Sequence, residues 1–222
     1  GVIGAYYAEK HGASPEVVKA ISEHLKPKGA ADSLPTTDAG SVLAVSDRVD
    51  SVTGCYLASK IPRGSEDPYG VRRAGNGVIR ILLEQKRHLD LWSASERSLS
   101  MFGPEGAPST PGNVADVSPE LTRKLAEFWR GRVETALGDE DFAYDEIAAV
   151  VEADHGWMDP LDARHRAAAL SEHRQDESFE VLVIGYKRVA NILRAEPDAP
   201  QTAAEAPGGA NWGHPAEQAL AE

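Results

Sequence analysis

Only one cysteine occurs in the 222 residues, so no disulfide can close within the chain. Cys55 lies in the apolar run VDSVTGCYLA, where a thiol reads as a small buried hydrophobe, and a reducing cytoplasm is the expected compartment. Long apolar runs are missing as well. Charges interrupt every candidate well short of the roughly 18 residues that cross a bilayer, so no membrane contact is expected. The chain opens on Gly1, and GVIGAYYAEKHG has neither the basic start nor the apolar run of a targeting peptide; it reads as the end of an amphipathic segment whose N-terminus is cut. An excess of positive charge is lacking too. A net charge of −12 speaks against a general nucleic-acid binder, since counterion release needs clustered Lys and Arg. No glycine-rich loop ends in Lys-Ser or Lys-Thr, and there is no nucleophile elbow and no paired-cysteine zinc motif. Each absence weakens the case for chemistry on this chain.

The charge is unevenly spread. Between Lys60 and Arg87 there are seven bases (Lys60, Arg63, Arg72, Arg73, Arg80, Lys86, Arg87) against three acids (Glu66, Asp67, Glu84). From Ala195 onward there are five acids and no Lys or Arg. Such a split allows a local basic surface on an acidic protein.

Helix starts recur with one chemistry, a short capping residue followed by proline at the first helical position: Ser14-Pro15, Asp67-Pro68, Ser118-Pro119 and Asp159-Pro160. Apolar residues then follow at spacings of three and four. The stripes are Val17, Val18, Ile21 and Leu25; Val42, Val45, Val49, Val52 and Tyr56; Val71, Ala74, Val78, Ile81 and Leu82; Leu121, Leu125, Phe128, Trp129, Val133 and Leu137; and Tyr144, Ile147, Val150 and Val151. The valine-rich second stripe would also suit a strand, but its spacing holds over four turns. Further helices are expected over Leu161–His173 and Phe179–Arg194, the last apolar around much of its circumference and therefore central in its bundle. The expected fold is all-α. Gly70, Gly75 and Gly77 would each cost a helix about 1 kcal/mol, so close packing must favour them. MFGPEGAPSTPGNVADV, rich in Gly and Pro, reads as a linker, and the low-complexity end reads as a disordered tail. The expected organisation is a helical unit over 1–100, a linker over 101–118, a second helical region over 119–194 and a tail over 195–222.

Candidate sites are few. Asp47 and Asp50 in SDRVDSV share a helix face, as a two-carboxylate metal or acid/base site would require; a solvated polar face opposite the valines is the plainer reading. His155, His165 and His173 with Asp154 and Asp162 match no ligand spacing and read as surface residues. Lys187 and Arg188 interrupt the apolar run of the last helix and so point out of it, toward phosphate or simply toward solvent. PRGSEDPYGVRR sets a Pro-Gly turn and an acidic cap before the adjacent Arg72 and Arg73, which suit either an RNA phosphate or a structural carboxylate brace.

EHLKPKGAADSLPTTDAGSVLAVSDRVDSVTGCYLASKIPRGSEDPYGVRRAGNGVIRIL resembles the long signature of the bacterial glycyl-tRNA synthetase beta subunit family. The matching residues include Glu23, His24, Pro27, Leu34, Pro35, Thr37, Gly40, Asp47, Asp50, Gly54, Pro62, Gly64, Ser65, Asp67, Pro68, Arg72 and Arg73. YDEIAAVVEAD, DPLDARHRAAALSEHR and YKRVANILR also look like that family, so the likeness covers nearly all of residues 1–194. It departs at Glu66, where the family usually has Lys, and at Gly70-Val71, where Ala-Leu is usual.

The resemblance implies a subunit of a two-component class II synthetase of two alpha and two beta subunits. The alpha subunit would use ATP and Mg for the glycine chemistry, and the beta subunit would bind tRNA(Gly). No cofactor is expected on this chain, and the fragment itself is expected to be non-catalytic. Residues 1–100 would be the end of an HD-like helical domain, with Asp47 standing where HD phosphohydrolases place their last metal-binding aspartate. The stretch from YKRVANIL onward would enter the DALR-type anticodon-binding domain that arginyl-tRNA synthetases share. Two alternatives stand beside this: an HD-type metal-dependent phosphohydrolase, and a helical scaffold contacting only the alpha subunit.

Overall fold

A computed structural model describes residues 1–62, 64, 66–102, 118–174 and 176–195. Most of the expected linker, nearly all of the expected tail, and Arg63 lie outside the described residues. Among those described, nine α-helices and no strand occur, so the all-α expectation holds. They are α1 (Val2–Lys10), α2 (Pro15–Glu23), α3 (Asp38–Leu57), α4 (Val71–Glu84), α5 (Leu91–Leu99), α6 (Pro119–Asp139), α7 (Tyr144–Val151), α8 (Pro160–His173) and α9 (Glu177–Ala195).

The starts follow their caps. Ser14 and Ser118 accept from Val17 N and Leu121 N, each with proline at the first helical position, and the Asp159 carboxylate accepts from Leu161 N and Asp162 N at the head of α8. The valine-rich stretch is helix, not strand: Thr37 caps α3 by accepting from Gly40 N, and Val49, Val52 and Tyr56 are buried along it. At Asp67-Pro68 the expected start is displaced. Gly70 adopts φ +68°, a left-handed conformation that turns the chain before α4 begins at Val71, and Asp67 caps from three residues further back.

Residues 1–173 form one compact unit, and the chain divides by contact at His173/Arg174. The described helices on both sides of the stretch 101–118 up to His173 lie within this unit. A single buried cluster runs through Val49 and Val52 of α3, Val78 and Leu82 of α4, Leu91 and Leu99 of α5, Leu125, Trp129 and Val133 of α6, Val150 of α7 and Ala163 of α8. Composition alone marks where a chain is irregular, not whether the helices on either side share a core. Two of the three costly glycines are explained by proximity and the third by its backbone. A Cβ on Gly75 would meet the Phe128 ring of α6 at 2.7 Å, and one on Gly77 would meet Arg48 Nε of α3 at 2.7 Å. Gly70 is needed for its positive φ.

Some stripe residues face water instead of the core. Val17, Leu25, Val42 and Tyr144 are exposed, because Ala20 and Glu23 take the buried face of α2, and α7 buries only its later residues. α9 also departs from expectation: Val181, Leu182, Tyr186, Val189 and Ile192 are all exposed, so whatever would cover its apolar surface is not among the described residues.

Candidate functional site

The first turn of α4 is built by Asp67. Its carboxylate accepts Val71 N at 2.7 Å and Arg72 N at 3.0 Å, which satisfies two of the helix's free donors and fixes where Arg72 and Arg73 leave the backbone. Arg73 is exposed and folds back over Gly70, its guanidinium 2.9 Å from where a Cβ on that glycine would stand. Arg72 is half-buried and has no side-chain ion pair among the described residues.

Most of the protein's other arginines are occupied. Arg48 is buried and donates to the carbonyls of His24, Ala44 and Pro27 at 2.8, 2.8 and 3.0 Å. Arg80 spans Glu84 and the carbonyls of Ala30 and Asp32, Arg87 pairs with Asp38, Arg123 with Glu127, Arg130 with Glu134, and Arg166 with Asp162. Arg72 and Arg73 have no such brace among the described residues.

Asp47 and Asp50 are exposed on α3, at the edge of a groove of about 630 Å³ between α3 and α5, floored by Val45, Val49, Leu82 and Ala94. Asp50 accepts from Ser98 Oγ at 3.0 Å, and Ser98 in turn meets Thr53 Oγ1 at 2.5 Å. No group of three or more His, Cys, Asp or Glu converges anywhere among the described residues, so Asp47 has no co-ligands there. The residues around it do not fit a metal ion. The histidines noted in the sequence are dispersed: His155 pairs with Asp154 at 3.4 Å, His165 lies edge-on to His88 with ring centroids 6.4 Å apart, and Asp162 is engaged by Arg166 at 2.7 Å.

A family model described as "Glycyl-tRNA synthetase beta subunit" matches residues 1–152. The chain belongs to the glycyl-tRNA synthetase beta subunit family. It is 34% identical over 194 residues to the glycine–tRNA ligase beta subunit of Desulforapulum autotrophicum, a match covering 87% of this chain and 27% of that protein. It is 36% identical over 200 residues to that of Geobacter metallireducens, covering 90% and 28% respectively. With the Anaeromyxobacter dehalogenans protein it shares 38% over 192 residues, covering 86% and 26%. The chain thus spans about a quarter of the length of these beta subunits.

Within this beta-subunit segment the sequence-predicted bases belong to two different units. Arg72 and Arg73 belong to the compact unit of residues 1–173; Lys187 and Arg188 are exposed on α9, in the unit beginning at Arg174. Sequence reading missed Arg132 of α6. Its guanidinium carbon lies 5.9 Å from the centre of the Phe128 ring, Nη1 reaches Asn76 Oδ1 of α4 at a long 3.4 Å, and Nε is buried without a hydrogen-bond partner among the described residues. The available signal was its place between Trp129 and Val133 at the margin of an apolar stripe, where an arginine must lie along the packed face. Burial, and then the positive charge of Arg72, push the Arg132 guanidinium below its ordinary pKa. The Tyr56 phenol, buried beside both arginines, is pushed up to about 12, burial outweighing their charges.

Proposed function

We propose that this segment helps the beta subunit of a glycine–tRNA ligase bind tRNA(Gly) and position it for aminoacylation by an alpha subunit, and that it performs no chemistry itself. The observation that carries this reading is the pair Arg72 and Arg73, held at the head of α4 by the Asp67 cap and free of ion pairs among the described residues, where the other arginines are mostly braced. A strongly hydrogen-bonding cation kept out of a salt bridge is suited to phosphate. Family membership supplies the RNA, since its relatives are glycine–tRNA ligase beta subunits.

On the same reading, residues 1–100 are the end of an HD-like domain, with Asp47 a relic of a ligand position. Residues 119–194 lead toward an anticodon-binding domain, where Lys187 and Arg188 would serve as further phosphate contacts. ATP and Mg act through the alpha subunit, in a complex of two alpha and two beta subunits, in the cytoplasm. No helix among the described residues is long and apolar enough to cross a membrane. The test is tRNA(Gly) binding by the full-length beta subunit with its alpha subunit across a salt series. Replacing Arg72 and Arg73 together by Gln should weaken binding and lower the slope of log affinity against log salt by about one to two. An unchanged slope would remove both residues from the RNA.

One observation favours a second reading, a scaffold contacting only the alpha subunit: Val42, Leu43 and Met101 expose apolar surface at the α3/α5 groove. A photocrosslinker at Val42 that captures the alpha subunit, combined with wild-type tRNA affinity in the Arg72/Arg73 variant, would establish that reading in place of the first.

A further inference from the structure

Gly75 lets α6 approach α4 so closely that the Phe128 ring and Arg132 Cγ lie 2.7 and 3.2 Å from where a Cβ would stand. The approach has an electrostatic consequence. Arg72, Gly75 and Asn76 fall on one face of α4, one turn apart, so the side chain of Arg132 lies along the same face as Arg72. The positive charges of Arg72 and Arg132 thereby act on one another across the α4/α6 contact, and neither has a carboxylate within ion-pair distance among the described residues. Among the described residues, the Tyr56 phenol and the Asp67 carboxylate favour the charged Arg132, and Asp67 is engaged by Val71 N and Arg72 N. The Arg132 guanidinium lies 5.9 Å from the centre of the Phe128 ring, and the long bond to Asn76 holds it weakly. The acids of the α4/α6 cleft, Glu84, Asp139 and Glu140, line it together with Arg80 and Thr135 further along the helices, and Glu84 and Glu140 are paired with Arg80 and Arg164. Like charges gathered on a half-buried face cost free energy unless an anion joins them.

We propose that Arg132 and Arg72 together hold one phosphodiester group of the bound RNA, with Asn76 orienting the Arg132 guanidinium. The inference rests on the tRNA-binding reading above and adds to it a residue on a different helix. Because both arginines serve one phosphate, their effects overlap instead of adding.

The experiment is tRNA(Gly) binding by the full-length beta subunit with its alpha subunit, over a salt series, with thermal unfolding of each variant as control. Arg132→Gln should weaken binding about tenfold and lower the salt slope by about one, and adding Arg72→Gln should then lose little more. Asn76→Asp provides a variant that does not remove packing. Its new carboxylate pairs with Arg132, so unfolding temperature should hold or rise while tRNA affinity falls about tenfold. If Arg132→Gln and Asn76→Asp keep wild-type affinity and slope while the Arg72/Arg73 variant weakens binding, Arg132 is not a phosphate ligand and the tRNA-binding reading stands. If the Arg72/Arg73 variant is unchanged as well, that reading itself fails. Loss of alpha-subunit association with intact tRNA affinity would also overturn the proposal, giving the arginine pair to an acidic protein surface.

Discussion

The indole N–H of Trp129 donates to the hydroxyl of Ser95 at 2.9 Å, and both residues are fully buried. This bond ties α6 to α5 across the Gly/Pro-rich stretch, so the helices on its two sides share a core. Ser95→Ala should leave the indole donor unpaired in an apolar surrounding and cost about 1–3 kcal/mol in urea unfolding. The transition of residues 1–173 should remain a single cooperative step; two resolved steps, one for α1–α5 and one for α6–α8, would contradict the shared core.

Gly77 and Gly131 are both helical glycines, yet replacing them by alanine should have opposite effects. At Gly77 the new Cβ would meet Arg48 Nε at 2.7 Å, and Arg48 cannot retreat, because three backbone carbonyls hold its guanidinium. Gly77→Ala should cost about 1–3 kcal/mol. At Gly131 nothing lies within 4 Å, so Gly131→Ala should gain about 0.5–1 kcal/mol from helix propensity and reduced unfolded-chain freedom. Thermal unfolding of the two variants beside the parent chain checks both signs.

Much of this was legible before any coordinates. Ser14, Ser118 and Asp159 announced their helices through local capping, and the three-four spacing of Val45, Val49, Val52 and Tyr56 outweighed their β-branched character because the core lies on one side of α3. α5 gave little warning: its buried face includes Ser95, bonded to Leu91 O and Trp129 Nε1, and Ser98, bonded to Thr53 and Asp50, polar residues that break the apolar period. At Asp67 the capping residue was recognised, while the three-residue offset required Gly70 to turn the chain first. Arg72 and Arg73 were identifiable from the signature, but Arg132 was not, because its relation to Arg72 depends on α6 meeting α4 through Gly75, about 57 residues apart in sequence. Long-range juxtaposition of this kind has no local pattern.

Glu23 provides a pH dependence. Burial raises the pKa of its carboxyl, but hydrogen bonds from Thr36 N at 2.9 Å and Thr36 Oγ1 at 3.0 Å, with Lys19 Nζ at 3.2 Å, outweigh it and hold the group below its ordinary 4.5. A depressed folded-state pKa contributes stability that is present above the unfolded value and lost as pH falls through the folded one. The α2–α3 junction should therefore loosen below about pH 4.5, and Glu23→Gln should be less stable than the parent at pH 7 with the gap narrowing toward acid. Unfolding curves at pH 7 and at pH 3 measure the difference; a gap equal at both would contradict the role given to the ionised carboxylate.

The separation of tRNA handling from glycine chemistry is tested most directly by two assays on one complex, the full-length beta subunit bearing Arg72→Gln and Arg73→Gln with its alpha subunit. Glycine-dependent pyrophosphate exchange reports activation alone, and steady-state glycylation reports activation together with tRNA. Exchange should stay at the parental rate while KM for tRNA(Gly) rises about tenfold or more, as loss of charge-assisted phosphate contacts requires. Equal loss in both assays, or an unchanged KM for tRNA, would contradict the account.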